Sequence, residues 1–226
     1  MNKTVRLASA YLEDLATIAI TTPPEAETLL LYPDLDVAIR TKLRARLKQL
    51  GRHDWPTSMR EDPELRQGYT LRQCFRLVSA LALVNAQLRP GIAVAIAASN
   101  ELEIMRVILD AIEAGKVPAK NDRIAVCATG DLYELIDEHG FMSTEPNRLR
   151  WLQRHTLAEL WSAHDDLAHP GPRIVIDIGQ TARASWHWMS ERRLIPGDAL
   201  EALAREIEAQ QGEPGYRPGI NRTNRR

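Results

Sequence analysis

The chain has 226 residues, 44 % hydrophobic and 26 % charged, with a formal net charge of −1. That balance belongs to a globular protein of one large or two small domains, and it excludes a uniformly basic nucleic-acid binder while leaving room for a basic patch. No apolar run reaches the ~18 residues a bilayer span requires, and Arg6, Glu13 and Asp14 stand where a signal peptide would be apolar, so the expected location is cytoplasmic.

The first predicted element is a helix over residues 1–21, with Leu7, Tyr11, Leu12, Leu15 and Ile18 on one side. Thr22 caps a second helix, with Pro23 and Pro24 in its first turn and Glu25 and Glu27 near its positive end, running through Leu29, Leu30 and Leu31. Tyr32, Pro33 and Asp34 make a turn, and Asp34 or Asp36 caps a third helix that continues to Leu50 before Gly51. In it Ile39, Leu43, Leu47 and Leu50 form the expected buried stripe. Arg40, Arg44 and Lys48 follow one another at i, i+4 along a second face, with Lys42 and Arg46 on the opposite flank and no acid between Val37 and His53. A helix-turn-helix needs such an element: one stripe packs, and the cations neutralise phosphates beside the major groove. A solvated basic surface helix has the same pattern.

Residues 52–67 are a polar connection holding Trp55-Pro56, Arg60, Asp62-Pro63 and Arg66, too long for a tight turn. They read as a wing touching the DNA backbone or as a surface loop. Thr70 then caps a helix over 71–88 that buries Leu71, Phe75, Val78, Leu81 and Ala82. Pro90 and Gly91 break it, residues 92–98 form a second apolar run, and Ser99 and Asn100 cap a third helix with Met105, Ile108, Leu109 and Ile112 in line and Gly115 at its end. The apolar surface between Leu71 and Ile112 exceeds what one small domain is expected to bury, which, with the usual pairing of helix-turn-helix half-sites, predicts a homodimer. The two cysteines, Cys74 and Cys127, each lie in an apolar run and read as buried reduced thiols.

Helix, turn, basic helix, polar excursion, Gly-Tyr-Thr and two further helices follow one another in an order that resembles MerR-type winged helix-turn-helix regulators. The resemblance centres on Thr41-Lys42-Leu43-Arg44, Gly51, Gly68-Tyr69-Thr70 and the run from Arg76-Leu77 to Leu88, and covers about residues 24–98. It implies that the basic helix enters the major groove, that the excursion supplies wing contacts to phosphates, and that the following helices brace the unit. By position Arg40, Lys42, Arg44, Arg46 and Lys48 would then face DNA, with Arg60 and Arg66 on the wing.

The second half changes character. After a linker over 116–122, residues 124–128 suit a buried strand. A helical segment is expected over 131–137 and a longer helix over 147–163, carrying Leu149, Leu152, Thr156 and Leu160 beside Trp151 and Trp161. Residues 174–178 are the second strand, Thr181 caps a helix through Trp186 and Trp188, and Asp198 with Glu201 makes a capping box for the last helix. Residues 212–226 hold Arg217, Arg222, Arg225 and Arg226 among glycine and proline and read as a disordered basic tail.

Three weak chemical signals lie in this half. Residues 176–181, Ile-Asp-Ile-Gly-Gln-Thr, resemble the phosphate-gripping turn of actin-like and sugar-kinase ATPases, in which a glycine lets phosphate approach backbone amides. His164, Asp165, Asp166 and His169 offer metal-ligand types at a helix end. His187 between Trp186 and Trp188 could stack on a base, although one buried tryptophan on an amphipathic helix accounts for the trio.

Together these readings give a mainly α chain with a smaller α/β part. Residues 1–115 form a helical DNA-binding domain with the helix-turn-helix at about 24–51 and bracing helices over 70–114, and residues 116–211 a small α/β module. The expected function is a sequence-specific transcriptional regulator binding double-stranded DNA, not an enzyme, with no cofactor or metal. The alternatives are a helical protein-interaction module and a small phosphate- or nucleotide-handling enzyme centred on Asp177.

Overall fold

The computed structural model describes residues 6–21, 29–56, 68–115, 122–128, 149–154 and 173–211. Among them are seven α-helices, two short 3-10 helices and five strands in two antiparallel sheets, so the chain is mainly helical with a small sheet part. The helices are α1 (Leu12–Thr21), α2 (Val37–Gly51), α3 (Leu71–Asn85), α4 (Pro90–Ser99), α5 (Glu101–Glu113), α6 (Ile178–Glu191) and α7 (Ala199–Gln211). None is long and apolar enough to cross a membrane.

Helix α3 is the centre. Thr70 caps it as expected: its Oγ1 accepts from Gln73 N at 3.2 Å while Gln73 Oε1 accepts from Thr70 N at 2.8 Å. Phe75, Val78, Leu81 and Leu83 have no exposed surface, because α1, α4 and α6 pack around them. The apolar surface that the sequence leaves for a second copy is thus covered by α1, α6 and α7 of the same chain, and that ground for a homodimer is gone. Cys74 sits in this core, where burial pushes its thiol up to about 12 and keeps it protonated. Helices α4 and α5 form as the spacing predicts, and Met105, Ile108, Leu109 and Ile112 are buried. Gly115 closes α5 with φ +98°, a left-handed conformation that glycine adopts without strain.

Two short strands escape a reading by periodicity. Strand β1 (Arg6–Leu7) pairs antiparallel with β2 (Tyr69–Thr70), so the helix expected over 1–21 starts only at Leu12, after a 3-10 turn at Ser9–Tyr11. Gly68 makes the pairing possible: its φ is +113°, and a Cβ there would run into the Leu7 carbonyl oxygen.

The second sheet has the order β4-β3-β5, with β3 (Arg123–Ala128) between β4 (Arg150–Gln153) and β5 (Arg173–Ile176). Both predicted strands are present, but residues 150–153 are a third strand where the spacing predicts a helix. Over so short a stretch, Leu149 and Leu152 satisfy a helical spacing as well as an extended one, and the ladder of β3 decides the matter through four paired residues from Arg123↔Gln153 to Val126↔Arg150. The Asn100 side chain fixes the entry to β4, its Oδ1 accepting from Leu149 N at 3.2 Å and its Nδ2 donating to Ile96 O at 2.8 Å. Buried side chains from Leu7 to Ile207 form one continuous cluster, which includes Ala125 and Ile176 of this sheet. The segments 131–137 and 155–163 and the tail from 212 lie outside the described residues.

A buried ion network locks α3 to α5. Glu101 is 3 % exposed and accepts from Arg72 Nε at 2.6 Å and from Arg76 Nε and Nη2, both at 2.8 Å. Arg72 reaches on to Glu206 of α7 at 2.8 Å. Burial alone would raise the Glu101 pKa, but the two guanidiniums outweigh it and hold the carboxyl below its ordinary value. A carboxylate with a depressed folded pKa contributes stability that is complete above its ordinary pKa and is lost as pH falls toward the folded value. Glu101→Gln is therefore expected to cost about 3–5 kcal/mol at neutral pH, the usual result of breaking a buried pair. It should also flatten the acid limb of a urea-denaturation stability profile, and an unchanged limb would show that another carboxylate controls it.

Candidate nucleic-acid interface

Helix α2 begins where the sequence places it. Asp36 is the N-cap, its Oδ1 accepting from Ile39 N at 2.9 Å, while Asp34 closes the preceding 3-10 turn (Tyr32–Asp34) by accepting from Leu31 N at 2.9 Å. Residues 29–31, expected to end a helix, are not helical. Leu31 is extended and Pro33 lacks the N–H that a helix through Leu29 would need. Tyr32 N instead donates to Asp14 Oδ1 at 2.9 Å, tying the turn to α1. Residues 22–28 lie outside the described residues.

The spacing predicts four inward-facing aliphatic positions on α2. Leu43 and Leu50 are each 1 % exposed and Leu47 is half-buried, but Ile39 is 41 % exposed. The stripe is buried only from Leu43 onward, and α2 packs against α1 and α4. At the far end the His53 ring lies over Gly91 in the first turn of α4, where a Cβ would come within 3.0 Å of Cε1.

The cations do not share one fate. Arg44 donates from Nε to Glu13 Oε1 at 2.7 Å and from Nη2 to Oε2 at 3.4 Å, across from α1, and this bond raises its pKa. The Arg40 and Arg44 guanidiniums lie 5.9 and 5.1 Å from the centre of the Tyr32 ring. Arg40 and Arg46 are half-buried beside the packed stripe, whereas Lys42, Lys48 and, despite its bond to Glu13, Arg44 are exposed. The outward face consists of Ala38, Thr41, Lys42, Ala45, Lys48, Gln49 and Arg52, all exposed. At helical spacing Lys42 and Lys48 flank the Ala38-Ala45 line on opposite sides. Neither Gln49 nor Arg52 stands out in the sequence as a contact; only the burial of Leu43 and Leu50 reveals that they share the open face.

Both feet of the polar excursion are held. Where the chain leaves α2, Trp55 Nε1 donates to Arg76 O at 2.9 Å, and the Arg76 guanidinium lies 5.4 Å from the indole centre and donates to Pro56 O at 3.2 Å. Where it returns, Arg6 Nη1 donates to Gly68 O at 2.9 Å beside the β1-β2 pair. Arg60 and Arg66, the wing candidates, lie between these feet and outside the described residues.

The chemical signals of the second half resolve into structure where they are described. Asp177, not Thr181, caps α6, with Oδ1 accepting from Gln180 N at 2.9 Å and Oδ2 paired to Arg154. Trp188 is buried and meets Tyr11 edge-on at a ring separation of 6.1 Å, and Trp186 packs against the core. Residues 164–169 lie outside the described residues. Among the described ones no group of three or more His, Cys, Asp or Glu is placed to hold a metal.

No family model, curated protein or solved structure matches the chain.

Gly179 has a packing role: a Cβ there would stand 2.9 Å from Ala111 Cβ, so α6 and α5 touch at this point because the side chain is missing. Gly179→Val is expected to lower stability by about 1–3 kcal/mol through overpacking, measured by denaturant unfolding. A residue that served only to admit phosphate would show no such loss.

Proposed function

We propose that this chain is a sequence-specific DNA-binding regulator of MerR-like organisation, with α2 as its recognition helix. The observation that carries the reading is the open face of α2: it bears no acid, its two exposed lysines flank it on opposite sides, and its opposite stripe is anchored through Leu43 and Leu50. A helix so disposed can lie in a major groove while each flank meets one phosphate strand. The order of turn, basic helix, excursion and a capped α3 after Gly68-Tyr69-Thr70 supports the same reading. Arg60 and Arg66 would then approach the backbone from the excursion. Arg40, Arg44 and Arg46 become supporting cations, with Arg44 paired to Glu13 at the surface. Two copies on paired half-sites belong to the proposal through the symmetry of such sites.

Selection of bound sequences from a random duplex library, followed by salt titration of the selected site, tests it. Specific binding with a steep salt slope is expected. The double variant Lys42→Gln, Lys48→Gln should reduce that slope by about 2, one for each phosphate that is no longer neutralised. Arg44→Gln should change it less, since its charge is shared with Glu13. Equal affinity for heparin and for any duplex would overturn the reading in favour of a polyanion-binding or protein-binding helix.

A further inference from the structure

The cations of α2 differ in what holds them. Among the described residues Arg44 is the cation of this helix that a carboxylate engages, its Nε and Nη2 donating to the two oxygens of Glu13 at 2.7 and 3.4 Å. Glu13 and Asp14 both stand in the first turn of α1, and the two act on the same place. Asp14 accepts from Tyr32 N and so fixes the turn that carries the buried Tyr32 ring, while Glu13 holds the Arg44 guanidinium over that ring, 5.1 Å from its centre. Along the i, i+4 row Arg44 is the neighbour of Lys48, the exposed lysine on that flank of the open face. One edge of a guanidinium is a fork that donates to a carboxylate or to a phosphate through the same pair of hydrogen bonds. Glu13 therefore occupies an edge that a phosphate would take.

The pair is open to exchange. Arg44 is 64 % and Glu13 32 % exposed, and an exposed pair of this kind shifts an equilibrium by no more than about fivefold. Glu101 makes the contrast: at 3 % exposure it would be stranded as a buried charge if its arginines moved away, whereas Glu13 returns to water. Resting on the proposed DNA-binding function, we infer that Glu13 is a built-in competitor for the phosphate that Arg44 would meet. It lowers affinity for every duplex by a similar factor and leaves sequence preference to the open face of α2.

The experiment is a salt titration of the full chain on the duplex it selects from a random library and on an unrelated duplex, beside Glu13→Gln, Arg44→Gln and the double variant. Gln keeps helix propensity, the bond from the Thr17 hydroxyl to the Glu13 backbone carbonyl is untouched, and circular dichroism verifies each fold. Glu13→Gln is expected to bind both duplexes up to about fivefold tighter. Its salt slope should steepen by about 1, for the counterion that a freed Arg44 displaces. Both effects should vanish in the Arg44→Gln background. No gain from Glu13→Gln would make the pair an ordinary surface contact, and a gain that persists without Arg44 would make Glu13 a general repulsive charge; either result would overturn the inference while leaving DNA binding intact. Absence of duplex binding by both the parent chain and Glu13→Gln would instead remove the proposed function, and this inference with it.

Discussion

Helix α3 is buried along twelve of its fifteen residues, yet Arg72 and Arg76 stand near its beginning. Two guanidiniums taken from water without partners would cost far more than the helix gains from its cap. Glu101, the first residue of α5, answers both, and so the start of α3 must lie against the start of α5. From that point the network reaches Glu206 on α7 and the Pro56 carbonyl at the foot of the excursion. An apolar trio of similar volume would pack as stably or better. What the ions add is direction, because a bidentate arginine meets its carboxylate in one plane.

A second buried arginine does for the sheet what this network does for the helices. Arg183 on α6 is 1 % exposed and donates to Asp122 Oδ2 and to the Ala111 carbonyl, each at 2.8 Å, and to Gln180 Oε1 at 2.6 Å. The Ala111 carbonyl belongs to the last turn of α5, where helical partners run out. One side chain thus caps α5, anchors the residue before β3 and fixes α6 between them. Gly179, one turn earlier on α6, lets the two helices close to that distance. Asp177 is drawn into the same frame through Arg154, whose backbone N–H donates to Asp122 O at 2.8 Å. The glycine and aspartate that make a phosphate-like motif in the sequence are accounted for by helix contact and helix capping.

Much of this is legible in the residues alone. The Thr70 cap, a cap at Asp34 or Asp36, the runs of α3 to α5 and strands β3 and β5 all follow from local rules, because a cap or a long periodic face needs no knowledge of its neighbours. What escapes those rules depends on distant partners. Strand β1 is two residues long and exists because Gly68, some sixty residues on, lets β2 approach it. Strand β4 reads as helix until β3 supplies a ladder. Leu29 to Leu31 lead into a turn held by Asp14 of α1, and Ile39 belongs to an apolar stripe whose first turn nothing in the described structure covers.

The candidate interface shows the same division more sharply. An i, i+4 row of cations is visible in any sequence, and it fixes which residues share a helix face. It does not say which face the protein keeps. Glu13 lies 31 residues before Arg44 and is joined to it only because the Tyr32 turn folds back on α1. With that row partly held by the protein, the open face of α2 moves round to residues with short side chains, Ala38, Thr41 and Ala45, which charge-based reading passes over. Short side chains let a helix axis approach a surface closely, while the longer lysines at the edges reach past them. On the proposed reading, charge at the margins of such a face would set how tightly it holds a polyanion, and the short side chains at its centre how closely the helix axis can approach.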